Sequence, residues 1–200
     1  AFTYTNGTVE KTRTVGSVPV QRNYRTNLYG QLLTSDVAAN VVINPEYNDP
    51  MYEADELHKA AAFGGTVTLT EDVVLETPLK VSGNLTINLN GKTLSGAVAK
   101  GAGAVVDIAQ GTTVEIVGGT IKSTNENGDA AINNAGTLVL KNVAIEGAPL
   151  ADGGYSAYAV ISSGNLVIEE GTTVSADRGC LKFSGAGETV INGGHFTNND

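Results

Sequence analysis

The segment from Gly64 to Asp200 repeats one short sequence plan. Each copy has alternating apolar residues, then glycine or asparagine, then another apolar residue. The copies are LTINLNGKTL at 85–94, VEIVGGTI at 114–121, LVLKNVAI at 138–145, LVIEEGTTV at 166–174 and TVINGGHF at 189–196. The equivalent residues Ile87, Ile116, Leu140, Ile168 and Ile191 are separated by 29, 24, 28 and 23 positions, a spacing typical of solenoids. One repeat cannot bury its own apolar face, so successive turns must stack on one another.

Stacking predicts which side chains of the repeated strand point inwards, because successive side chains of a strand alternate between its two faces. The predicted inward set is Leu85, Ile87, Val114, Ile116, Leu138, Leu140, Leu166, Ile168 and Ile191. The predicted outward set is Thr86, Glu115, Val139, Val167 and Val190. A β-sandwich of hairpins is the alternative fold, but it would not explain why the same corner recurs in every turn.

The composition changes near Asp49. Residues 1–48 are rich in Thr, Val and Tyr with partial alternation, which predicts two or three strands. Asp49 as a cap and Pro50 in the first turn predict a helix that ends at the glycine pair 64–65. Its modest apolar face, Leu57, Ala60 and Ala61, suits a cap over the open end of a strand stack. We therefore divide the chain into strands at 1–48, a capping helix at 49–65 and the strand stack at 66–200.

Charge and cysteine content narrow the range of partners. The formal net charge is −9 and no stripe of basic and aromatic residues is present, so nucleic acid is not expected as a partner. No apolar run has the roughly 18 residues that a membrane-spanning helix needs. The single cysteine, Cys180, lies in the apolar stretch CLKF and is expected to be a small buried hydrophobe rather than a nucleophile.

Four motifs carry a family resemblance. GGTVTLTEDVVL, LTINLNGKTLSG, AINNAGTLVLKNVAI and TVINGGHF resemble the right-handed parallel β-helix domains of bacterial surface proteins in the pectin-lyase-like superfamily, from about Tyr52 to Asp200. The upstream segment VPVQRNYRTNLYGQLLTSDVAANVVINPEY resembles the closing strands of fimbrillin-like domains, the β-sandwich subunits of surface fimbriae. The resemblance implies an all-β fold, a right-handed parallel β-helix with a short N-terminal capping α-helix. It also implies an exported protein at the cell surface, anchored to the outer membrane through a segment upstream of Ala1. The chain starts with the strand-like AFTYT rather than a secretory leader, so we expect any export signal to be missing or already removed.

Enzymes of this superfamily cleave acidic polysaccharides with clustered carboxylates, the resemblance implies, and hydrolysis needs two carboxyl groups about 5 to 9.5 Å apart. The sequence offers no such pair, because Asp107 is expected to stack near Ala131 and Lys182, and Glu115 below Val139. We therefore predict a non-catalytic adhesin or fimbria-associated structural protein without cofactor or metal. A polysaccharide lyase or glycoside hydrolase acting on acidic polysaccharide is the alternative, and a scaffold whose ends pair with other subunits is a third.

Two groups of residues are candidates for ligand binding. The longest irregular insertion, at 146–160, carries Asp152, Tyr155 and Tyr158, which could stack on and hydrogen-bond a sugar, although tyrosines at loop bases more often pack. Asp177, Arg178 and His195 near the end of the strand stack could bind an anionic polysaccharide or form ordinary surface contacts. The expected partners are a surface glycan, a host protein, or other surface or fimbrial subunits.

Two further features concern surfaces and packing. Val139, Val167 and Val190 form a candidate docking stripe for residues 1–48, another domain or a second subunit, although valine also simply suits strands. A hydrogen-bonded ladder is predicted to join Asn133 and Asn134 to Ser162 and Ser163 of the next turn. STNENGDAAINN lacks the acidic residues of a calcium loop, and we interpret it as a polar corner.

Overall fold

The computed structural model describes the backbone of residues 2–6, 9–13, 24–29, 40–45, 50–99, 101–151 and 158–199, and side chains from Ala54 onwards within these ranges. The chain divides into two compact units, Ala1–Tyr52 and Glu53–Asp200. In the first unit β1 (Phe2–Asn6) pairs antiparallel with β2 (Val9–Arg13), and β3 (Tyr24–Tyr29) pairs antiparallel with β4 (Asn40–Pro45). The sequence predicted two or three strands here rather than four, because the polar strand VEKTR has little apolar alternation to reveal it.

The second unit begins with the C-terminal part of a helix and continues with short strands. The helix α1 spans Pro50–Phe63, close to the predicted 49–65. The strands are β5 (Gly65–Thr68), β6 (Val73–Leu75), β7 (Leu79–Val81), β8 (Leu85–Asn88), β9 (Thr93–Gly96), β10 (Val106–Ile108), β11 (Thr113–Ser123), β12 (Ile132–Asn134), β13 (Thr137–Glu146), β14 (Val160–Ser162), β15 (Asn165–Ile168), β16 (Thr173–Ala176), β17 (Leu181–Phe183), β18 (Thr189–Ile191) and β19 (His195–Asn198). α1 is not long and apolar enough to cross a membrane, and it is the only helix in the described part of the chain.

The strands of the second unit form three parallel faces. The first face runs in the order β5, β8, β11, β13, β15, β18, and the second in the order β6, β9, β11, β13, β16, β19. The third face runs in the order β7, β10, β12, β14, β17. Every pairing in these faces is parallel, so the predicted parallel β-helix is confirmed, with about 5 turns. We refer to one circuit through the three faces as a coil.

The long strands β11 and β13 bend from the first face to the second through residues with positive φ. In β11 the bend is at Gly118 and Gly119, with φ of 58° and 133°. In β13 the residue opposite Gly118 is Asn142, with φ of 47°. Asparagine tolerates positive φ better than most residues. At the corner that precedes the first face, glycine is needed for its small size rather than for a positive φ. A Cβ atom at Gly164 would overlap the carbonyl oxygen of Gly136 in the preceding coil, so glycine is needed there for close backbone approach.

The core consists of columns of aliphatic side chains, one from each coil. Ile87 pairs with Ile116, Ile116 with Leu140, and Leu140 with Ile168, and all four are fully buried. Ile191 continues the column in register, as predicted, but it is 49% exposed because it belongs to the last coil. The five residues taken as equivalent from the sequence are therefore stacked in space.

Helix α1 covers the first coil. Leu57 and Ala61 are fully buried in the same core cluster as the β-helix, and Ala60 packs against it. The carbonyl oxygen of Ala61 accepts hydrogen bonds from the backbone N–H groups of Ser82 at 2.8 Å and Gly83 at 2.9 Å. The apolar face predicted for the helix thus closes one end of the β-helix.

Candidate binding groove

The third face presents one outward residue from each coil. Its strands have three residues each, with the outer two pointing inwards, so only the central side chain faces out. These central residues form one column in register: Lys80, Asp107, Asn133, Ile161 and Lys182. The prediction that Asp107 stacks near Ala131 is therefore wrong. Burying Ile132 against Val106 sets the register, which brings Asn133 beside Asp107.

A shallow groove follows this column. It consists of two concavities of about 240 Å³ and about 210 Å³, which share Asp107 and Ile108. The first is lined by Lys80, Val81, Ser82, Asp107, Ile108 and Ala109. The second is lined by Asp107, Ile108, Asn133, Asn134, Ala135, Ile161, Ser163 and Ser184. With coils ~4.8 Å apart, the distance from β7 to β17 is ~19 Å, long enough for an extended chain to lie across all five strands of the face.

A loop borders the groove on one side and a row of small residues borders it on the other. The Asp107 carboxylate accepts a hydrogen bond from the Ala104 N–H at 3.1 Å, which fixes the loop on one side of the groove. On the other side the corner residues are Ala109, Ala135, Ser163 and Ser184, all exposed and all small. Asn133 is exposed in the middle, so its amide is available both to donate and to accept hydrogen bonds.

A buried hydrogen-bond network lies beneath the groove. Asn134 is 3% exposed and donates to Ser162 Oγ at 2.9 Å and to the Asn165 carbonyl at 2.8 Å. Its Oδ1 accepts from the Gly136 N–H at 3.1 Å. The Ser163 hydroxyl donates to the Asn134 carbonyl at 3.3 Å. The predicted ladder is thus confirmed for Asn134, whereas Asn133 points out into the groove.

The groove column differs in charge from the chain that carries it. The chain has a formal net charge of −9, yet the column holds two lysines against one carboxylate. Lys80 and Lys182 are both exposed and lie at opposite ends of the column, with Asp107 between them half-buried. An anionic ligand that follows the column would meet a cation at each end.

The candidate residues of the long insertion are only partly described. Asp152 and Tyr155 lie outside the described residues. Tyr158 is half-buried, and the Arg178 guanidinium lies 5.5 Å from the centre of its ring, within cation–π range. The structure therefore joins a member of each predicted binding group, Tyr158 and Arg178, in one contact that the sequence did not indicate.

Asp177 and His195 are not brought together. The Asp177 carboxylate accepts hydrogen bonds from the Leu150 N–H at 2.7 Å and from the Asn199 side chain at 3.1 Å, which ties the insertion to the last coil. His195 is the first residue of β19, and Asn199 follows the last residue of that strand. His195 is therefore ~13 Å from Asn199 along the extended chain. Asp177 thus has a structural role, and His195 is an exposed residue of β19.

The valine stripe lies on the first face as predicted. Val139 pairs with Val167, and Val167 pairs with Val190, so the three form one outward column. Val139 and Val167 are half-buried and Val190 is 39% exposed. Beside the stripe, Lys141 Nζ lies 2.7 Å from Glu115 Oε2, and this hydrogen bond and the carboxylate charge raise the pKa of Lys141. The column is confirmed, and its role in docking stays a prediction.

Several other carboxylates serve as contacts between coils. Asp72 accepts from the Thr93 N–H at 2.8 Å, and Asp129 accepts from the Gly101 N–H at 2.6 Å and the Gly103 N–H at 3.2 Å. Glu146 forms an ion pair with Lys122 at 2.7 Å. Within the residues that the structure describes, no group of three or more His, Cys, Asp or Glu side chains is placed to hold a metal ion.

Cys180 is half-buried rather than fully buried as the sequence predicted, and it lies at the start of the last described coil. Its thiol contacts the carbonyl oxygens of Val174 at 3.2 Å and Thr197 at 3.3 Å. Burial raises the pKa of the Cys180 thiol above its usual value of 9.0, although the Thr197 contact opposes this shift. The reactive thiolate is therefore scarce at neutral pH.

We expect the folded protein to react slowly with iodoacetamide at pH 7.5, because only the thiolate is nucleophilic. The rate should rise with pH through a midpoint above 9.0. Alkylation followed by mass spectrometry measures this rate, and the urea-unfolded chain is the control. A folded-state rate equal to or above that of the unfolded chain would contradict the structural assignment of this thiol.

Comparison with known protein families gives a match over the first part of the chain. Residues 1–79 match the model of a family described as a family of unknown function, DUF6562. The match includes all four strands of the first unit and continues through α1, β5 and β6 to the start of β7. No curated protein and no solved structure matches the chain.

Proposed function

We propose that this chain is part of a bacterial cell-surface protein whose β-helix binds an extended anionic glycan along the third face, as a non-catalytic adhesin. The observation that supports this most is the groove: it crosses successive coils, exposes hydrogen-bonding side chains and follows a column of outward residues that has a lysine at each end. A rigid parallel stack keeps these groups at fixed spacings of ~4.8 Å, so a ligand meets them without reordering the protein.

Carboxylate contacts favour binding over cleavage as the role of this face. Asp107 is the only carboxylate in the groove column, and one of its oxygens is held by the Ala104 N–H. The hydrolytic mechanism needs a second carboxyl group about 5 to 9.5 Å from the first. The neighbours of Asp107 in the column are Lys80 and Asn133, which can bind a sugar but carry no acid. The Asp129 carboxylate also lies next to Gly103, but it accepts hydrogen bonds from the Gly101 and Gly103 N–H groups, so both carboxylates hold the loop beside the groove.

Two finer relationships belong to the same proposal. The β-helix is related to the pectin-lyase-like superfamily, and the strands of residues 1–48 are closing strands of a fimbrillin-like domain. Export to the cell surface and an outer-membrane anchor upstream of Ala1 follow from these relationships. The valine stripe of Val139, Val167 and Val190 would then be available to a neighbouring fimbrial subunit.

Polygalacturonate is the probe for the binding function, with dextran as the uncharged control. We expect polygalacturonate to bind and the double change Lys80→Ala and Lys182→Ala to weaken binding by about tenfold, which is about 1.4 kcal/mol. The matched control removes two lysines elsewhere, Lys59→Ala and Lys92→Ala, and should bind normally. Isothermal titration calorimetry at low salt measures all three proteins.

Two results would overturn the proposal. The first is equal affinity of the two double variants, because it would show that binding follows overall charge rather than the groove. The second is release of unsaturated or reducing-end products from polygalacturonate, with or without calcium, because it would identify an enzyme. A single change, Asn133→Ala, should also weaken binding while leaving the free energy of unfolding unchanged, because Asn133 is exposed.

A further inference from the structure

The second concavity of the groove has a carboxylate in its lining and no lysine or arginine. Its lining residues are Asp107, Ile108, Asn133, Asn134, Ala135, Ile161, Ser163 and Ser184. The two lysines of the column are not among them, because Lys80 lies one strand before Asp107 and Lys182 one strand after Ile161. A carboxylate placed in this concavity would meet the charge of Asp107 without a compensating cation in the lining. The concavity therefore suits an uncharged sugar, whereas the two lysines suit acidic sugars on either side of it.

Three outward side chains on successive coils give the concavity its chemistry. Asp107 pairs with Asn133, and Asn133 pairs with Ile161, so the three follow one another at spacings of ~4.8 Å. Asp107 Oδ1 accepts from the Ala104 N–H, and no described residue donates to Oδ2. The exposed amide of Asn133 makes no hydrogen bond with a described residue. The concavity thus offers an acceptor, a group that both donates and accepts, and an apolar surface.

Ile161 is an apolar surface that is held in place. It is half-buried and packs against Ala104 and Ala130, which are each 1% exposed. Its remaining surface lines the concavity beside Asn133. A methyl group of a ligand that contacts Ile161 is removed from water, and little side-chain entropy is lost because Ile161 is already ordered by its packing.

We infer that the glycan carries an N-acetylated sugar between acidic sugars, and that the acetamido group of this sugar binds at Asp107, Asn133 and Ile161. The inference rests on the proposed glycan-binding function and narrows its ligand. An acetamido group has one N–H donor, one carbonyl acceptor and one methyl group. Asp107 and Asn133 together supply the acceptor and the donor that the amide needs, and Ile161 contacts the methyl group. An acetate ester has no N–H, so it would remove water from Asp107 Oδ2 without giving it a donor.

Isothermal titration calorimetry at low salt compares two acidic octasaccharides. Hyaluronan octasaccharide has an acetamido group on every second sugar, whereas octagalacturonate has none and carries twice as many carboxylates. Charge alone predicts that octagalacturonate binds more tightly to the lysines. We expect the opposite order, with hyaluronan binding about tenfold more tightly, a low value for one methyl group seated on an apolar surface.

Two variants locate this preference in the concavity. Ile161→Ser should weaken hyaluronan binding by about tenfold and leave octagalacturonate binding unchanged. The matched control is Val139→Ser, which makes a similar change at a half-buried outward residue of the first face. Asp107→Asn removes a negative charge at nearly constant volume, so it should strengthen octagalacturonate binding severalfold and reduce the preference. Circular dichroism shows whether each variant is folded.

Three results would overturn the inference and leave the proposed function standing. They are binding of octagalacturonate that equals or exceeds that of hyaluronan, a folded Ile161→Ser variant that weakens both ligands alike, and an Asp107→Asn variant with an unchanged preference. If Ile161→Ser does not fold, the order of the two ligands and the Asp107→Asn variant decide. If neither octasaccharide binds, both the inference and the proposed function fail.

Discussion

Replacing Ile116 by alanine is expected to lower the free energy of unfolding of the β-helix by ~2–5 kcal/mol. Ile116 is fully buried in the central coil, between Ile87 of the coil before and Leu140 of the coil after. Backbone hydrogen bonds hold the neighbouring coils at a fixed distance, so they cannot collapse into the space that the lost atoms leave. The cavity therefore remains, and its cost adds to the lost burial.

Urea unfolding followed by circular dichroism measures this loss. The matched control is Val117→Ala, which truncates a β-branched residue next in sequence on the outward side of the same strand. Val117 is half-buried, so its loss should be roughly 1 kcal/mol or less. Equal losses for the two variants would contradict the assignment of Ile116 to the core column.

The core columns could be predicted because two patterns coincide. Within a strand, apolar residues alternate, and between strands the same pattern returns after 23 to 29 residues. Ile87, Ile116, Leu140 and Ile168 satisfy both patterns, and the structure stacks them in that order. Only a repeating coil makes distant residues equivalent in this way.

The groove could not be predicted by the same reasoning. Its strands have only three residues, so each contributes one outward side chain, and these five share no chemistry that marks them as equivalent. The register error at Asp107 has the same origin: AVVDIA shows that a strand exists, but not which apolar residue pairs with Ile132. An outward column on short strands becomes visible only once the inward residues are aligned.

The exposure of inward residues in the last described coil also has no sequence signal. Ile191 follows the repeat as closely as Ile168 does, yet one is 49% exposed and the other is fully buried. The difference lies in the absence of a described coil stacked beyond β17, β18 and β19. Whether an inward residue is buried depends on the coils that are stacked next to it and not on the sequence of its own strand.

The buried amide of Asn134 provides the second large effect. It hydrogen-bonds with Ser162 Oγ, the Asn165 carbonyl and the Gly136 N–H at once, and its side chain belongs to a residue that is only 3% exposed. Asn134→Ala removes all three hydrogen bonds together and leaves their partner groups in place. Because each buried group left without a hydrogen bond costs about 1–3 kcal/mol, we expect a loss of roughly 3 kcal/mol or more.

Asn133→Ala is a close control for this prediction, because it makes the same chemical change one residue earlier in the same strand. Asn133 is exposed, so its loss should change the unfolding free energy by less than about 0.5 kcal/mol. Urea unfolding of both variants separates a buried network from a general preference for asparagine in this strand. If Asn134→Ala lowered the free energy of unfolding as little as Asn133→Ala, the Asn134 amide would not be the group that stabilises this corner. A large difference would instead assign adjacent asparagines separate roles, with Asn134 stabilising the coil and Asn133 free to bind a ligand.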